Sequence, residues 1–344
     1  FVKVPNAIVT IGTFDGVHQG HRAILEDMVN SAKEIEGETV VITFYPHPRQ
    51  VLNIDSSNLR FITNQEEKIK HLEEIGIDNL IVVNFTKEFS RVSSESFIRD
   101  YVIENISPAK IVIGYDHHFG KNRMGDFSLL QDLASQYKFK VQRIEAHDVE
   151  NIAVSSTKIR LSLQRGDVEH ANMLLGYQYA YVSKVIQGNR IGREIGYRTA
   201  NLEVRREYML IEKSGVYATY VDFEDKEYKS MTYIGNKPTV GDGNDMNIEV
   251  HIFDFDGDIY DKDIKVRFVK RIRDDKKFES LDDLRNQLKL DEKQIRRLER
   301  NVSMFFDHVE DLVMNENTFT MSEFAQSVDD FLAFRKFNVL KGKG

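Results

Sequence analysis

The stretch that most constrains this chain is Val9-Thr10-Ile11-Gly12-Thr13-Phe14-Asp15-Gly16-Val17-His18-Gln19-Gly20-His21. A β-branched run enters a glycine turn. The turn empties into an amphipathic segment carrying Ala23, Ile24, Leu25, Met28 and Val29. The pattern predicts a strand, a loop and a helix that begins near His18. The loop then lies at the carboxyl end of a strand, where open α/β sheets bind their ligands. The free N–H groups and positive dipole of a helix start suit a phosphate. Gly12, Gly16 and Gly20 let the backbone come close to a bulky anion. His18 and His21 are three apart and project from one side of the first turn.

Residues up to about 150 alternate between the two periods. Strands are predicted over 7–14, 39–44, 80–85, 110–114 and 140–144, with helices over 21–35, 66–75, 95–104 and 129–137. Asn64 with Glu67 three later forms a capping box. Short strands separated by helices of this length predict a parallel sheet covered on both faces, a doubly wound α/β fold.

Three more loops fall where such a sheet places its ligand. Tyr45-Pro46-His47-Pro48 holds His47 between prolines on a rigid loop. Gly114-Tyr115-Asp116-His117-His118-Phe119-Gly120 is a polar, aromatic loop bounded by glycines. Val154-Ser155-Ser156-Thr157-Lys158-Ile159-Arg160 opens a helix with three hydroxyls, and Arg160 follows one turn later on the phosphate side. A further helix is expected over 164–176, linking this half to the next.

After residue 178 the pattern changes to closely spaced β runs over 179–186, 215–223, 228–234, 247–255 and 263–269, which predict an antiparallel barrel or sandwich. Hairpin turns are expected at Glu224-Asp225-Lys226 and at Asp256-Gly257. This half has its own phosphate apparatus, Gly188-Asn189-Arg190-Ile191-Gly192-Arg193-Glu194-Ile195-Gly196, which departs from the Walker pattern. Thr199 and Asn201 are two apart in an extended segment, so their oxygens face the same way and suit Mg²⁺ beside phosphates. Ile248, Val250 and Ile252 alternate with Glu249 and His251. One face of that strand is core and the other carries a carboxylate.

His18-Gln19-Gly20-His21 resembles the HxGH signature of nucleotidyltransferases. With Gly12 to Gly16 in front, the resemblance narrows to the bacterial FAD synthetase type. The family's PHP, GxDFxFG and SSTxxR positions follow in order, with His117 where the family has Phe. The second half resembles riboflavin kinase over about 180–290. The segment 188–196 stands for GxxxGRxxG, and Arg198-Thr199-Ala200-Asn201 for PTAN with arginine in place of proline. Gly235-Asn236-Lys237-Pro238-Thr239, the glutamate strand, the DFDGDIY run and the RDDKKF run from Arg273 complete the series.

The resemblance implies a nucleotidyltransferase domain over 1–165, a linker helix over 166–180, a riboflavin kinase β-barrel over 181–300 and a helical extension over 301–344. It implies a bifunctional transferase of FAD biosynthesis. The barrel moves the γ-phosphate of ATP to riboflavin, giving FMN. The first domain joins FMN to the AMP part of ATP, giving FAD and pyrophosphate. The implied catalytic groups are Glu249 as general base and His18, His21 and Arg160 around the α-phosphate and leaving pyrophosphate. Implied nucleotide or flavin contacts are Gly12, Phe14, Asp15, Gly16, His47, Asp116, Ser155, Ser156, Thr157, Gly188, Arg190, Gly192, Arg193, Gly196, Asn236 and Arg273, with Mg²⁺ on Thr199 and Asn201. Arg198 raises one alternative, a transferase whose kinase half has weakened. A second alternative is a flavin-binding regulator that works through its tail.

The net charge of −8, from 47 basic and 55 acidic residues, argues against general nucleic-acid binding. The absence of cysteine excludes disulfides, thiolate zinc sites and a cysteine nucleophile, and fits the cytoplasm. No apolar run is long enough to span a membrane and no signal peptide is visible. The first residue is Phe1 rather than Met, so a short leader is expected to precede it. In the tail, Ser280 and Asp283 are expected to cap a helix to 288. A second, amphipathic helix is expected over 292–314, and a third from Thr320. The stretch 320–344 resembles the end of RhuM-type virulence-associated proteins. We read the tail as a helix pair for packing, oligomerisation or a protein partner.

Overall fold

A computed structural model describes residues 3–53, 60–115, 118–121, 124–145, 148–149, 152–188, 196–205, 207–238, 244–314 and 327. Residues Phe1–Lys276 form one compact unit and Lys277–Gly344 a second.

The first unit opens with strand β1 (Ile8–Ile11), all four residues buried, followed by helix α1 (Gln19–Glu34). Leu25, Met28 and Ala32 are the buried stripe of α1. Then come β2 (Thr39–Tyr45), the short α2 (Pro48–Val51), α3 (Gln65–Ile75) and β3 (Asn79–Asn84). Asn64 and Glu67 make the expected reciprocal cap on α3. The predicted helix over 95–104 is a composite: α4 (Ser94–Ser96) and α5 (Glu104–Ile106) flank a π-helical Phe97–Ile103. After it come β4 (Lys110–Gly114), α6 (Phe127–Tyr137) and β5 (Lys140–Ile144).

These strands form a parallel sheet in the order β3-β2-β1-β4-β5. The order reverses between β1 and β4, which sets a ligand crevice over their carboxyl ends. The loop after β1 borders that crevice, so the topology itself puts the 12–18 segment there. A two-stranded ribbon of β6 (Asp148–Val149) and β7 (Ile152–Ala153) leads into α7 (Ser156–Gln164).

The helix expected over 164–176 is broken. Gly166 takes a positive φ of 76°, Asp167 caps a new helix α8 (Val168–Leu175), and Gly176 ends it in the left-handed region. The α8 face of Val168, Ala171, Leu174 and Leu175 is fully buried. It is less a linker than a wedge. Ile62, Ile159 and Leu163 from the α/β half, the α8 face, and Tyr179, Tyr217 and Phe268 beyond it belong to one apolar core.

The second half is a closed antiparallel barrel. Its strands are β8 (Ala180–Ile186), β9 (Ala200–Leu202), β10 (Gly215–Phe223), β11 (Lys226–Pro238), β12 (Asn244–Ile252) and β13 (Asp263–Asp274). The order is β10-β11-β12-β9-β8-β13, closed by β13 on β10. Glu224 and Asp225, both at positive φ, make the expected tight turn between β10 and β11. The turn expected at Asp256-Gly257 does not join neighbours. β12 pairs with β11 and β9, while β13 pairs with β10 and β8, so 253–262 is a crossing loop. The dipeptide signal was local, and barrel closure overrode it.

The second unit holds one 34-residue helix, α9 (Leu281–Met314), capped by Ser280 as expected, with Asp283 N donating to its Oγ at 3.1 Å. The break expected before Glu292 is absent. Asp291 accepts from Gln287 Nε2 at 2.9 Å, one turn earlier, and the helix runs on. The third tail helix expected from Thr320 lies outside the described residues, apart from the helical Ser327.

Candidate active sites

The β1–α1 loop is shaped by three residues with positive φ: Phe14 at 47°, Gly16 at 85° and Val17 at 34°. At Gly16 a Cβ would also meet Ile62 at 2.9 Å, so the turn requires glycine. Phe14 is 4 % exposed and packs in the core beside α1, with its ring edge-on to His21 at 5.2 Å. Gly12 N donates to Ile42 O at 2.9 Å. Asp15 is the latch of the loop. Its Oδ1 accepts from Ile62 N at 2.9 Å and Thr63 N at 3.3 Å, while Oδ2 is ion-paired with Arg160. Burial raises the Asp15 carboxyl above its usual range, although Arg160 and the two backbone N–H groups pull the other way.

His18 is the N-cap of α1, and its Nδ1 accepts from His21 N at 3.3 Å. The two rings stack at 3.7 Å. Burial, with Arg160 nearby, lowers His18 to about 4. Burial, then His18 and Lys68, lower His21 well below its ordinary value. Both histidines are therefore neutral at pH 7. Since Nδ1 of His18 accepts, its proton sits on Nε2, which is left to donate. His21 Nδ1 is buried and has no hydrogen-bond partner among the described residues.

His47 is built in the same way. It caps α2, its Nδ1 accepts from Arg49 N at 3.2 Å, and burial followed by Lys68, Arg160 and Arg49 lowers it to about 3. Ser155 caps α7, Ser156 Oγ donates to Asp15 O at 3.1 Å, and Thr157 is exposed. Arg160 is spent on structure: Nε donates to Arg60 O at 2.9 Å and the guanidinium pairs with Asp15. The structure thus brings His18, His21, His47, Asp15, Ser156 and Arg160 to one end of the sheet. Asp116 and His117 lie outside the described residues.

In the barrel, Glu249 on β12 stands opposite Asn201 on β9. Ile248 and Val250 beside it are fully buried, as the alternation predicts. Glu249 Oε1 accepts from Asn247 Nδ2 at 2.6 Å and Oε2 from Thr199 Oγ1 at 3.3 Å. Asn247 was missed by the sequence reading, although its spacing of two puts it on the carboxylate's face. Tyr233, across from Glu249 on β11, donates to Asp275 at 3.2 Å, and burial with that carboxylate pushes it up to about 12. Thr199, Asn201, Gly188 and Arg198 line a cleft with Phe255, Ile259 and Tyr260 that encloses about 730 Å³, its open mouth included. At Gly188 a Cβ would fall 2.0 Å from Asn201 Nδ2, so only glycine lets the Asn201 amide pack against the backbone here.

Arg198 stands on the wall of the cleft. It pairs with Asp256 of the crossing loop, both side chains largely exposed, while its carbonyl accepts from His251 Nδ1 at 2.7 Å. Gly196 is in an exposed turn, and Arg273 Nη1 donates to Asp274 O at 3.0 Å. Arg190, Gly192 and Arg193 lie outside the described residues, as does the side chain of Asn236.

The FAD synthetase profile matches residues 3–158 and the riboflavin kinase profile residues 175–299. A bifunctional riboflavin kinase/FMN adenylyltransferase from Buchnera aphidicola is 37 % identical over 289 residues, covering 83 % of this chain and 92 % of its own. The Escherichia coli protein of the same name is 34 % identical over 286 residues, with 83 % and 90 % covered. The chain belongs to the bifunctional riboflavin kinase/FMN adenylyltransferase family. Among solved structures, the macrolide-efflux protein from Streptococcus pneumoniae is similar at 34 % identity with a TM-score of 0.77, covering 85 % of this chain and 94 % of that one. The tail has a match of its own. The virulence protein RhuM family profile matches 280–344, which takes in the whole of α9 and begins well before the 320 expected. No helix among the described residues is long and apolar enough to cross a membrane.

Proposed function

We propose that the chain makes FMN in its barrel and FAD at its α/β sheet, with the residue roles that follow. The observation that carries this reading is the contrast in donors. One site has a carboxylate held by a hydroxyl and an amide, and the other has neutral imidazoles and no free carboxylate among its described residues.

Riboflavin presents a neutral ribityl hydroxyl that must lose a proton. Glu249 is the general base, aimed by Thr199 and Asn247. The oxygen donors of Thr199 and Asn201, both on the cleft wall, fit Mg²⁺. When bound, the ion neutralises charge on the ATP phosphates. FMN presents an anionic phosphate, so the second reaction needs no base. The Nε2–H of His18 and the ring of His21 donate to the charge that builds on the α-phosphate and pyrophosphate. Asp15 and Arg160 hold the loop in shape rather than meeting the nucleotide.

We assign the α/β chemistry to residues 1–165 and the kinase chemistry to 181–300. The residues after 300 carry none of these groups, and a role in self-association or partner binding is proposed for them. The test is chromatography of products from riboflavin, ATP and Mg²⁺. The expected sequence is FMN, then FAD. A protein that makes FAD from supplied FMN but no FMN from riboflavin would overturn the kinase assignment.

A further inference from the structure

α3 carries a lysine on its apolar stripe. Lys68 is 6 % exposed, one turn before the fully buried Leu72. Lysines are almost never this buried unless paired. Among the described residues no hydrogen bond or ion pair within 4 Å reaches its ammonium. It lines a small pocket with Asp15, His47, Thr63, Gln65 and Tyr208. The Gln65 amide nitrogen in that pocket is buried and has no hydrogen-bond partner among the described residues.

Among the described residues of this crevice, the other candidates for a phosphate's countercharge are paired or neutral. Arg160 is neutralised by Asp15. His18, His21 and His47 are neutral. Neutral donors hydrogen-bond a phosphate but do not balance its charge. Lys68 is close enough that its charge disfavours protonation of both His21 and His47. Its own ammonium is penalised by burial and helped by Asp15, the balance expected of a cation kept for an incoming anion.

We propose that Lys68, with the Gln65 amide beside it, is the phosphate-binding cation of the adenylyl-transfer site. This rests on reading the α/β half as the FMN adenylyltransferase. The phosphate comes from ATP or from FMN. The two differ in which Michaelis constant Lys68 controls.

The experiment uses the full chain with Lys68→Met and Lys68→Arg. FAD formation from FMN and ATP is expected to fall at least about tenfold in Lys68→Met, the scale of one lost bond to a charged group. Lys68→Arg keeps most of it, and riboflavin phosphorylation is unchanged in both. A rise in KM for ATP alone names ATP as the source, and a rise for FMN alone names FMN. Titration with inorganic pyrophosphate gives a second readout, with weaker binding and a shallower salt dependence expected in Lys68→Met. Equal FAD formation and pyrophosphate affinity in Lys68→Met would overturn the proposal. So would Lys68→Arg losing as much as Lys68→Met while kinase activity shows both are folded. If the parent protein makes no FAD from FMN, the adenylyltransferase reading fails, while the pyrophosphate titration still decides whether Lys68 binds phosphate. Should Lys68→Met not fold, Lys68→Gln takes its place in the same assays.

Discussion

The crevice at the end of the sheet and the cleft in the barrel both serve phosphate chemistry, yet they are built from opposite materials. In the sheet crevice burial pushes the histidines toward neutrality, and the Asp15 carboxylate is paired with an arginine. The barrel holds a half-buried carboxylate, hydrogen-bonded to Thr199 of the cleft wall and to Asn247. The difference follows the nucleophile. An alcohol needs a base, whereas a phosphate needs donors and freedom from competing negative charge. Two reactions that both consume ATP therefore leave different fingerprints.

Glu249→Gln is the sharpest way to break this comparison. Riboflavin phosphorylation should fall by about 10²–10⁴-fold, the range for loss of a general base, with FAD formation from FMN untouched. A joint collapse of the two activities would mean the sites are not chemically separate. His21→Ala is the converse. Removing one donor from the crevice should cost the transferase roughly 3 kcal/mol, so FMN accumulates when riboflavin is supplied. An undiminished FAD yield would reduce the histidine pair to packing.

Acid probes the burial of the crevice histidines. A histidine lowered to about 4 in the fold and near 6.5 when unfolded binds more protons unfolded between those values. Stability is complete above the unfolded value and is lost as pH falls from about 6.5 toward 4. His18 alone accounts for roughly 3 kcal/mol by pH 4. Thermal unfolding between pH 7.5 and 4.5 measures this, and His18→Gln should flatten the curve. A transferase rate that titrates with a midpoint near 6.5 would show that the imidazoles are not held neutral. The smallest effect belongs to Arg198→Ala. Its exposed pair with Asp256 is worth under about 1 kcal/mol, so the kinase KM for ATP should move by less than about fivefold. A larger rise would make Arg198 a phosphate ligand rather than a surface tie.

Much of this was legible in the sequence because local signals and tertiary roles agreed. The β-branched run before Gly12 and the alternation through Glu249 each encode burial and exposure on the period of their element. The misses came where a distant partner decided the outcome. Arg160 reads as a phosphate-side residue beside its hydroxyls, and its ion pair with Asp15, far away in sequence, was not legible. Arg198 meets Asp256 across the barrel in the same way. Asp256-Gly257 has turn chemistry, yet ring closure sends its flanking strands to other neighbours. Lys68 was visible in principle: a cation four residues before Leu72 sits on the stripe that faces inward.

The seam between the halves has a consequence for how such a chain can change over generations. Phe61 N donates to Glu207 O at 2.8 Å, Arg60 pairs with Glu212, and Ile62, Ile159 and Leu163 share their core with the barrel. Tyr208 of the barrel half lines the pocket that holds Lys68. Deleting the barrel would strip an apolar flank and a pocket wall from the sheet. A lineage that no longer needed its own kinase could lose the reaction through one substitution at Glu249, but it would have to keep the barrel as scaffolding. A silent kinase still attached to a working transferase is the fossil this architecture is disposed to leave.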